Sequence, residues 1–218
     1  MARNTLEPLR PVPGHTHLLT ARKGAARMMA VQITTGGLVL YSPIPDPDDD
    51  AVAAAKALGG VAAIIAPSPF HHLGIGSWKI AFPGATVHAL PGAAARLEKR
   101  LGAAPSPDMP VMPDGIDLLT PPGLKAPEVW LRSERPNGIA WAVCDAFAGP
   151  AGPDEAPAET PKARGAFATM CIGDKAAYKD WAMTRIDLDQ PTLLLPAHGN
   201  AVAGENLPGG LHAIVEAL

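Results

Sequence analysis

Apolar residues in the first third of the chain fall in short runs, which is typical of strands. Residues 27–34 and 38–42 are two such runs, and the segment TGG between them predicts a hairpin. The run 61–66, VAAIIA, has no alternation of polar and apolar positions. We therefore predict a strand there that is covered on both faces.

Several longer stretches have the features of helices. Asp48-Asp49-Asp50 precedes an Ala/Leu-rich run that ends at Gly59-Gly60. Acidic residues favour the positive end of a helix, and glycine favours its C-terminal end. A helix start therefore explains the three aspartates better than a calcium loop, whose ligand spacing is missing. Further helices are predicted at 93–101, at 174–185 and near the C-terminus, ending at 218.

The order of the elements predicts the fold class. Further strands are predicted at 86–90, 116–119, 128–132, 138–144 and 192–195. Strands and helices alternate, but the chain opens on a hairpin and has three consecutive strands in its middle. A doubly wound parallel sheet does not have this order, whereas two mixed sheets with helices outside do. The alternative is an open α/β sheet.

A chain of 218 residues is most simply one domain, which we predict over residues 1–218. Residues 1–22 precede the first predicted hairpin and are interpreted as an N-terminal extension. The segment 149–165, GPAGPDEAPAETPKARG, is rich in proline, alanine and glycine and predicts a mobile surface loop.

Composition narrows the function classes. The formal net charge is −3 and no long basic run is present, so a nucleic-acid partner is not expected. The N-terminus has no apolar core of a signal peptide, and no window approaches the roughly 18 apolar residues of a membrane helix. Cys144 and Cys171 are not in CxxC spacing, which argues against a disulfide framework. We predict a cytoplasmic protein without a membrane partner.

Polar residues with metal-binding chemistry follow three of the apolar runs. His71 and His72 come after the strand 61–66, in the segment PSPFHHLGIGSW. Adjacent strand residues point to opposite faces, so the two rings can converge only in a turn, which the flanking prolines and glycines favour. Asp145 and His198 follow later runs. Each residue alone has a structural explanation, such as a turn cap or a hydrogen-bonded histidine, but together they are the ligand types of a divalent metal.

With these residues and this order of elements, the chain resembles the metallo-β-lactamase fold superfamily, which includes glyoxalase II and many hydrolases. The resemblance rests on the His-rich turn after a strand, on the strand-end Asp145 and on the late segment PAHG at 196–199. It covers most of the chain. It implies a four-layer αββα sandwich with metal ions at one edge.

The family signature HxHxDH matches only in part. With His72 at its last position, His71 falls on the aspartate, and Pro67 and Pro69 fall on the two leading histidines. The next family ligand is a histidine in a PGH turn, where this chain has Leu124 in Pro-Gly-Leu. The three histidines of the first metal site are thus missing.

The ligands of the second site are almost complete by the same comparison. They are His71 in place of aspartate, His72, Asp145 as the carboxylate and His198 as the final histidine. The resemblance implies one divalent ion; zinc suits these ligands, and iron and manganese stay open. Four protein ligands can close a tetrahedral shell, whereas catalysis needs an open position. Activity therefore requires five-coordination, or one of the four ligands left uncoordinated.

Two functions follow from this interpretation. The first is a mononuclear metal-dependent hydrolase of a small ester or thioester, in which Asp145 is a ligand and orients the attacking water. The second is a non-catalytic scaffold that binds a ligand or partner at the former metal site. The identity of the small-molecule substrate and the oligomeric state are not assigned.

Other candidates are weaker. His15-Thr16-His17 spells HxH but precedes the first predicted hairpin and lacks a following DH, so a loose N-terminal segment is predicted. His88 is interpreted as a packing residue or as a wall of the site. Cys171 has no sequence context that would activate a thiol, and Cys144 is predicted to lie in a buried strand. Trp78 is predicted to anchor the segment after the histidines in the core.

Overall fold

The computed structural model describes residues 5–136, 138–152 and 156–218. The chain divides into two units, Met1–Asp114 and Gly115–Leu218. Among the described helices, none combines the length and the apolar composition needed to cross a membrane. The single domain over 1–218 stays a prediction.

The first unit contains one mixed sheet. Its strands lie in chain order, and the first three pairings are antiparallel while the last two are parallel. The strands are β1 (Arg10–Val12), β2 (His15–Lys23), β3 (Ala26–Gln32), β4 (Leu38–Tyr41), β5 (Val61–Ile65) and β6 (Thr86–His88). The predicted hairpin is β3–β4, with Ala30 opposite Leu40.

Residues 1–22 are not an extension before the fold, which corrects the prediction for this segment. Within its described part, β1 and most of β2 belong to the sheet, and β2 pairs with β3 from Leu18↔Val31 to Lys23↔Ala26. The HxH pair His15 and His17 therefore lies in a strand rather than in a loose segment. The burial of β2 does not follow an alternation of polar and apolar residues, since the polar Arg22 is buried next to the apolar Ala21.

Three helices belong to the first unit: α1 (Asp49–Ala57), α2 (Ile75–Ala81) and α3 (Pro91–Leu101). The aspartates do start a helix, since Asp48 accepts a hydrogen bond from the Ala51 N–H at 2.9 Å. Trp78 in α2 is buried, and its Nε1 donates to the Ile44 carbonyl at 2.9 Å, as expected for a core anchor. The core combines the sheet and the helices through residues that include Met28, Leu40, Ile64, Trp78 and Leu97.

The second unit contains a mixed sheet with strand order β13-β12-β9-β8-β7. Its strands are β7 (Ile116–Leu119), β8 (Trp130–Arg135), β9 (Gly138–Val143), β12 (Leu193–Pro196) and β13 (Val202–Ala203). Among the described strands of this sheet, the pairing of β9 with β12 is parallel and the others are antiparallel. A small pair, β10 (Phe147–Ala148) and β11 (Lys162–Ala163), and the helices α4 (Gly165–Met170), α5 (Lys175–Asp189) and α6 (Leu207–Glu216) complete the unit.

The core of the second unit is built around an aromatic cluster. The Trp130 ring lies 5.2 Å from Trp141, 5.6 Å from Phe147 and 5.2 Å from Trp181, measured between ring centroids. Aromatic rings in tilted and edge contacts at these distances stabilise a core beyond their burial alone. The cluster joins β8, β9 and β10 to α5.

The described part of the segment 149–165 is hydrogen-bonded to another part of the second unit. Residues 153–155 of this predicted mobile loop lie outside the described residues. Of the remainder, Ala158 donates its N–H to Ala201 at 2.7 Å and accepts one from Ala203 at 2.8 Å. Pro150 accepts a hydrogen bond from the Asn200 N–H at 2.9 Å. These bonds attach the segment to the connection between β12 and β13, and its mobility stays a prediction.

Candidate metal centre

The two adjacent histidines lie in a turn that follows β5 in the first unit. The buried Ser68 organises this turn: its hydroxyl accepts from the Phe70 N–H at 3.2 Å, and its carbonyl accepts from the His71 N–H at 3.2 Å. The His72 carbonyl in turn accepts from Ile75 at the start of α2, at 3.1 Å. The turn expected from the flanking prolines and glycines is therefore present.

His71 is oriented by the neighbouring strand end. Its Nδ1 shares a hydrogen bond with the Ser42 hydroxyl at 2.7 Å. Ser42 follows β4, which pairs in parallel with β5, and it has the left-handed φ of 53° that is uncommon outside glycine. Metal-ligating histidines commonly have such a partner on the second ring nitrogen, which fixes the orientation of the ring.

The surroundings of His72 favour the neutral form of its ring, which is the form of a metal ligand. Its Nδ1 lies 3.3 Å from the Pro69 carbonyl, which can only accept, so Nδ1 carries the hydrogen and Nε2 carries the lone pair. Burial lowers the pKa of His72, the hydrogen bond with the Pro69 carbonyl raises it, and the nearby charges of Arg100 and Arg96 lower it. The net shift is downward, which favours the neutral ring that binds a metal.

Asp145 and His198 lie together in the second unit. The parallel pairing of β9 with β12 aligns Val143 with Pro196, so the residues that follow the two strands lie at the same edge of the sheet. The His198 Nε2 atom is 3.4 Å from the Asp145 Oδ1 atom. The two residues that the sequence identified at separate strand ends are therefore neighbours.

This separation fits two ligands of one ion. On a tetrahedral ion with metal–ligand bonds near 2.0–2.2 Å, two ligand atoms lie roughly 3.3–3.6 Å apart. Imidazole and carboxylate are also ligand types that zinc accepts. The donor set and the spacing of Asp145 and His198 are thus compatible with a divalent metal.

Glu128, which the sequence did not single out, supports the backbone around Asp145. It is 1% exposed, and its carboxylate accepts from the N–H groups of Cys144 (2.9 Å), Asp145 (3.0 Å) and Ala146 (3.4 Å). Burial, followed by the charge of Asp145, raises the pKa of Glu128 to about 7, although the N–H donors lower it. The only sequence signal was a glutamate at the start of the predicted apolar strand 128–132.

Glu128, Cys144 and Asp145 also bring ligand atoms within 4.8 Å of one another. Both oxygens of Glu128, however, already accept hydrogen bonds from backbone N–H groups. We therefore assign Glu128 to the support of the Asp145 loop rather than to a metal ion.

Arg164 is the second residue of this site that the sequence did not indicate. Its Nη2 atom is 3.3 Å from Asp145 Oδ1, the same oxygen that faces His198. Arg164 lies between β11 and α4, within the segment predicted to be a mobile loop. A basic residue in a proline-rich polar stretch gives no sequence signal of such a contact.

The remaining candidates have structural explanations. Burial, with the charges of Asp145 and Glu128, raises the pKa of Cys171 to about 12, so its thiol is protonated at neutral pH and is a poor nucleophile. His88 uses both ring nitrogens, Nε2 with the Thr86 hydroxyl at 2.7 Å and Nδ1 with the Asp108 carbonyl at 2.5 Å. Cys144 is buried, as predicted.

The structure thus brings together two of the four predicted ligands within one unit, Asp145 and His198. His71 and His72 lie in the turn of the other unit. The convergence of all four side chains on one ion stays a prediction.

No protein-family model matches this sequence, and no curated protein matches it. Solved structures do. The DIM-1 metallo-β-lactamase is 10% identical at a TM-score of 0.62, covering 97% of this chain and 99% of that one. A metallo-β-lactamase from Pontibacter korlensis is 12% identical at a TM-score of 0.63, over 98% and 100% of the two chains. The metallo-β-lactamase FIM-1 from Pseudomonas aeruginosa, in its mono-zinc form, is 11% identical at 0.61, over 100% and 98%.

These similarities establish the fold alone. At identities this low, they carry no information on the activity of this chain. The predicted fold class, an αββα sandwich of the metallo-β-lactamase type, is confirmed. The open α/β sheet is excluded, since each unit has its own mixed sheet.

Proposed function

We propose that this chain, whose fold is that of the metallo-β-lactamase superfamily, binds one divalent metal ion and uses it to hydrolyse a small ester or thioester. The observation that carries the proposal is the Asp145–His198 pair, at 3.4 Å, on the aligned ends of two parallel strands. The neutral, oriented ring of His72 and the ring of His71 are the other ligands that we propose.

A single ion is favoured over two by the residues themselves. Pro67, Pro69 and Leu124 stand where the superfamily signature has histidines, and none of these side chains can ligate a metal. One similar structure, FIM-1, is a mono-zinc form, which supports the compatibility of this fold with one ion. Zinc is the ion we propose for histidine and aspartate ligands, with iron and manganese as the alternatives.

The roles of the protein groups follow from their positions. A zinc ion, when bound, polarises a carbonyl and lowers the pKa of water. A carboxylate oxygen of Asp145 accepts a hydrogen bond from the attacking water and orients it. Glu128 holds the Asp145 backbone through its N–H bonds, so that the carboxylate stays in place during the reaction.

The metal content of protein prepared without chelators tests the proposal. We expect about one zinc per chain by elemental analysis, and a melting temperature that rises with added zinc because the ion binds only the folded state. Asp145→Asn, His198→Ala and His72→Ala should each lose stoichiometric metal. His212→Ala is the matched control, because His212 of α6 pairs with Asp187 of α5 and is not among the proposed ligands, so this variant should keep the ion.

Three outcomes separate the possible functions. If the parent protein binds no metal, the non-catalytic scaffold is the better interpretation. If the variants retain the ion as well as the control does, the site is wrong. If metal binds but no ester, thioester or phosphodiester in a generic screen is cleaved, with Asp145→Asn as the inactive reference, the hydrolase assignment fails while the metal site stands.

A further inference from the structure

Arg164 places a guanidinium group next to the carboxylate that is proposed to bind the metal. Its Nη2 atom lies 3.3 Å from Asp145 Oδ1. The same oxygen faces the His198 ring. The guanidinium of Arg164 and the proposed metal ion would therefore both contact the Oδ1 atom of Asp145.

The contact has the geometry of an exchangeable ion pair. One guanidinium nitrogen lies 3.3 Å from the carboxylate oxygen, whereas strong charged hydrogen bonds are shorter, about 2.7–2.9 Å, and often bidentate. The Arg164 side chain is 33% exposed, so it can move into solvent, while the Asp145 side chain is 10% exposed.

Another arginine–aspartate contact in the same unit shows the difference. Asp189 accepts from Arg132 Nε at 3.0 Å and from Arg185 Nε at 2.8 Å, and Arg185 reaches it with a second nitrogen. That network holds the carboxylate from two sides. Arg164, by contrast, approaches Asp145 with a single long contact.

We propose that Arg164 is a built-in competitor of the metal ion, which neutralises Asp145 in the metal-free protein and moves aside when the ion binds. This inference rests on the proposed metal site. A positive group beside Asp145 also offsets part of the cost of burying this carboxylate next to Glu128 before an ion arrives. The inference implies a weaker metal affinity than the ligands alone would give.

Zinc binding to the Arg164→Met variant of the 218-residue chain tests the inference. We expect the variant to bind zinc at least tenfold more tightly than the parent, measured by competition with a chromophoric chelator. The metal-free variant should melt at a lower temperature than the metal-free parent, because Asp145 then loses its ion pair with Arg164. The two effects have opposite signs, which a general loss of folding would not produce.

Lys162→Met is the matched control, since Lys162 is exposed in β11 and its replacement changes the net charge equally. It should leave zinc affinity within about twofold of the parent. Equal tightening in the control would overturn the inference, because long-range charge would then explain the effect.

The results also separate this inference from the proposed function. A parent that binds zinc together with an Arg164→Met variant that binds it no better overturns the inference alone. Absence of binding in both proteins overturns the inference and the metal site together. If the variant binds zinc and the parent does not, the competition by Arg164 is supported, and metal binding by the parent is contradicted.

Discussion

At the scale of single residues, Asp189 shows how this protein stabilises a buried charge. The residue is 5% exposed and accepts hydrogen bonds from Arg132, Arg185 and the Nε1 of Trp141 at 2.8 Å. Burial alone would raise the pKa of Asp189, but the bonds from Arg185, Trp141 and Arg132 outweigh it and hold the pKa below its ordinary value. The carboxylate thus stabilises the fold in its charged form.

We predict that Asp189→Asn destabilises the protein by about 3–5 kcal/mol at pH 7, because both arginines lose a buried partner. The lowered pKa means that this contribution is present above the ordinary carboxyl pKa near 3.9 and is lost as the pH falls through the lower folded value. Urea unfolding between pH 2 and 7 measures both effects. Asp187→Asn, an exposed change in the same helix, should cost no more than about 1 kcal/mol; equal costs for the two variants would contradict the account.

The sequence located some site residues and missed others for a physical reason. Asp145 and His198 could be predicted because each directly follows an apolar strand, a local feature. Glu128 and Arg164 could not, since their roles depend on contacts with Asp145 across 17 and 19 positions of the chain. A single sequence does not display which long-range neighbours a charged residue will have.

At the scale of elements, the approach of α2 to the strand ends depends on Gly74. This residue precedes α2 and has an ordinary helical φ of −82°, so its backbone conformation does not require glycine. A Cβ at this position would overlap the Pro43 carbonyl. The absence of a side chain therefore allows the turn that carries His71 and His72 to lie against the end of β4.

We predict that Gly74→Ala destabilises the protein by about 1–3 kcal/mol, as overpacking does elsewhere. Gly76→Ala is the matched control: it lies two residues away within α2, and a Cβ there meets nothing within 4 Å. Alanine should favour the helix at this position by about 0.5–1 kcal/mol. Denaturant unfolding of both variants checks the opposite signs, and a neutral Gly74→Ala would show that the turn can relax.

The elements that could be predicted were those with local signals. The Asp48 cap, the β3–β4 hairpin and the apolar β5 were all visible in the pattern. The helix α2 was missed because IGSWKIA is short and contains an interior glycine, and it is held by the burial of Trp78 rather than by propensity. The strand β2 was missed because its sequence has no alternation of polar and apolar residues. It forms a strand through its pairing with β3.

At the scale of the whole molecule, the order of elements and a few polar residues at strand ends were sufficient to predict the fold, although the sequence signature was incomplete. Structures only 10% to 12% identical share this fold over nearly the whole chain. Packing of sheets and helices tolerates wide substitution as long as the pattern of apolar positions is kept. The chemistry of a site, by contrast, depends on individual side chains and does not tolerate wide substitution. The fold was therefore predictable from the sequence, whereas the substrate was not.

The central claim is that His71, His72, Asp145 and His198 share one divalent ion. Anomalous X-ray scattering at the zinc edge, from crystals of the zinc-loaded protein, tests it most directly. We predict one strong anomalous peak per chain, bonded to Asp145 and His198 at about 2.0–2.2 Å and completed by His71 and His72. A peak away from Asp145 and His198, or no peak from fully zinc-loaded crystals, would contradict the account.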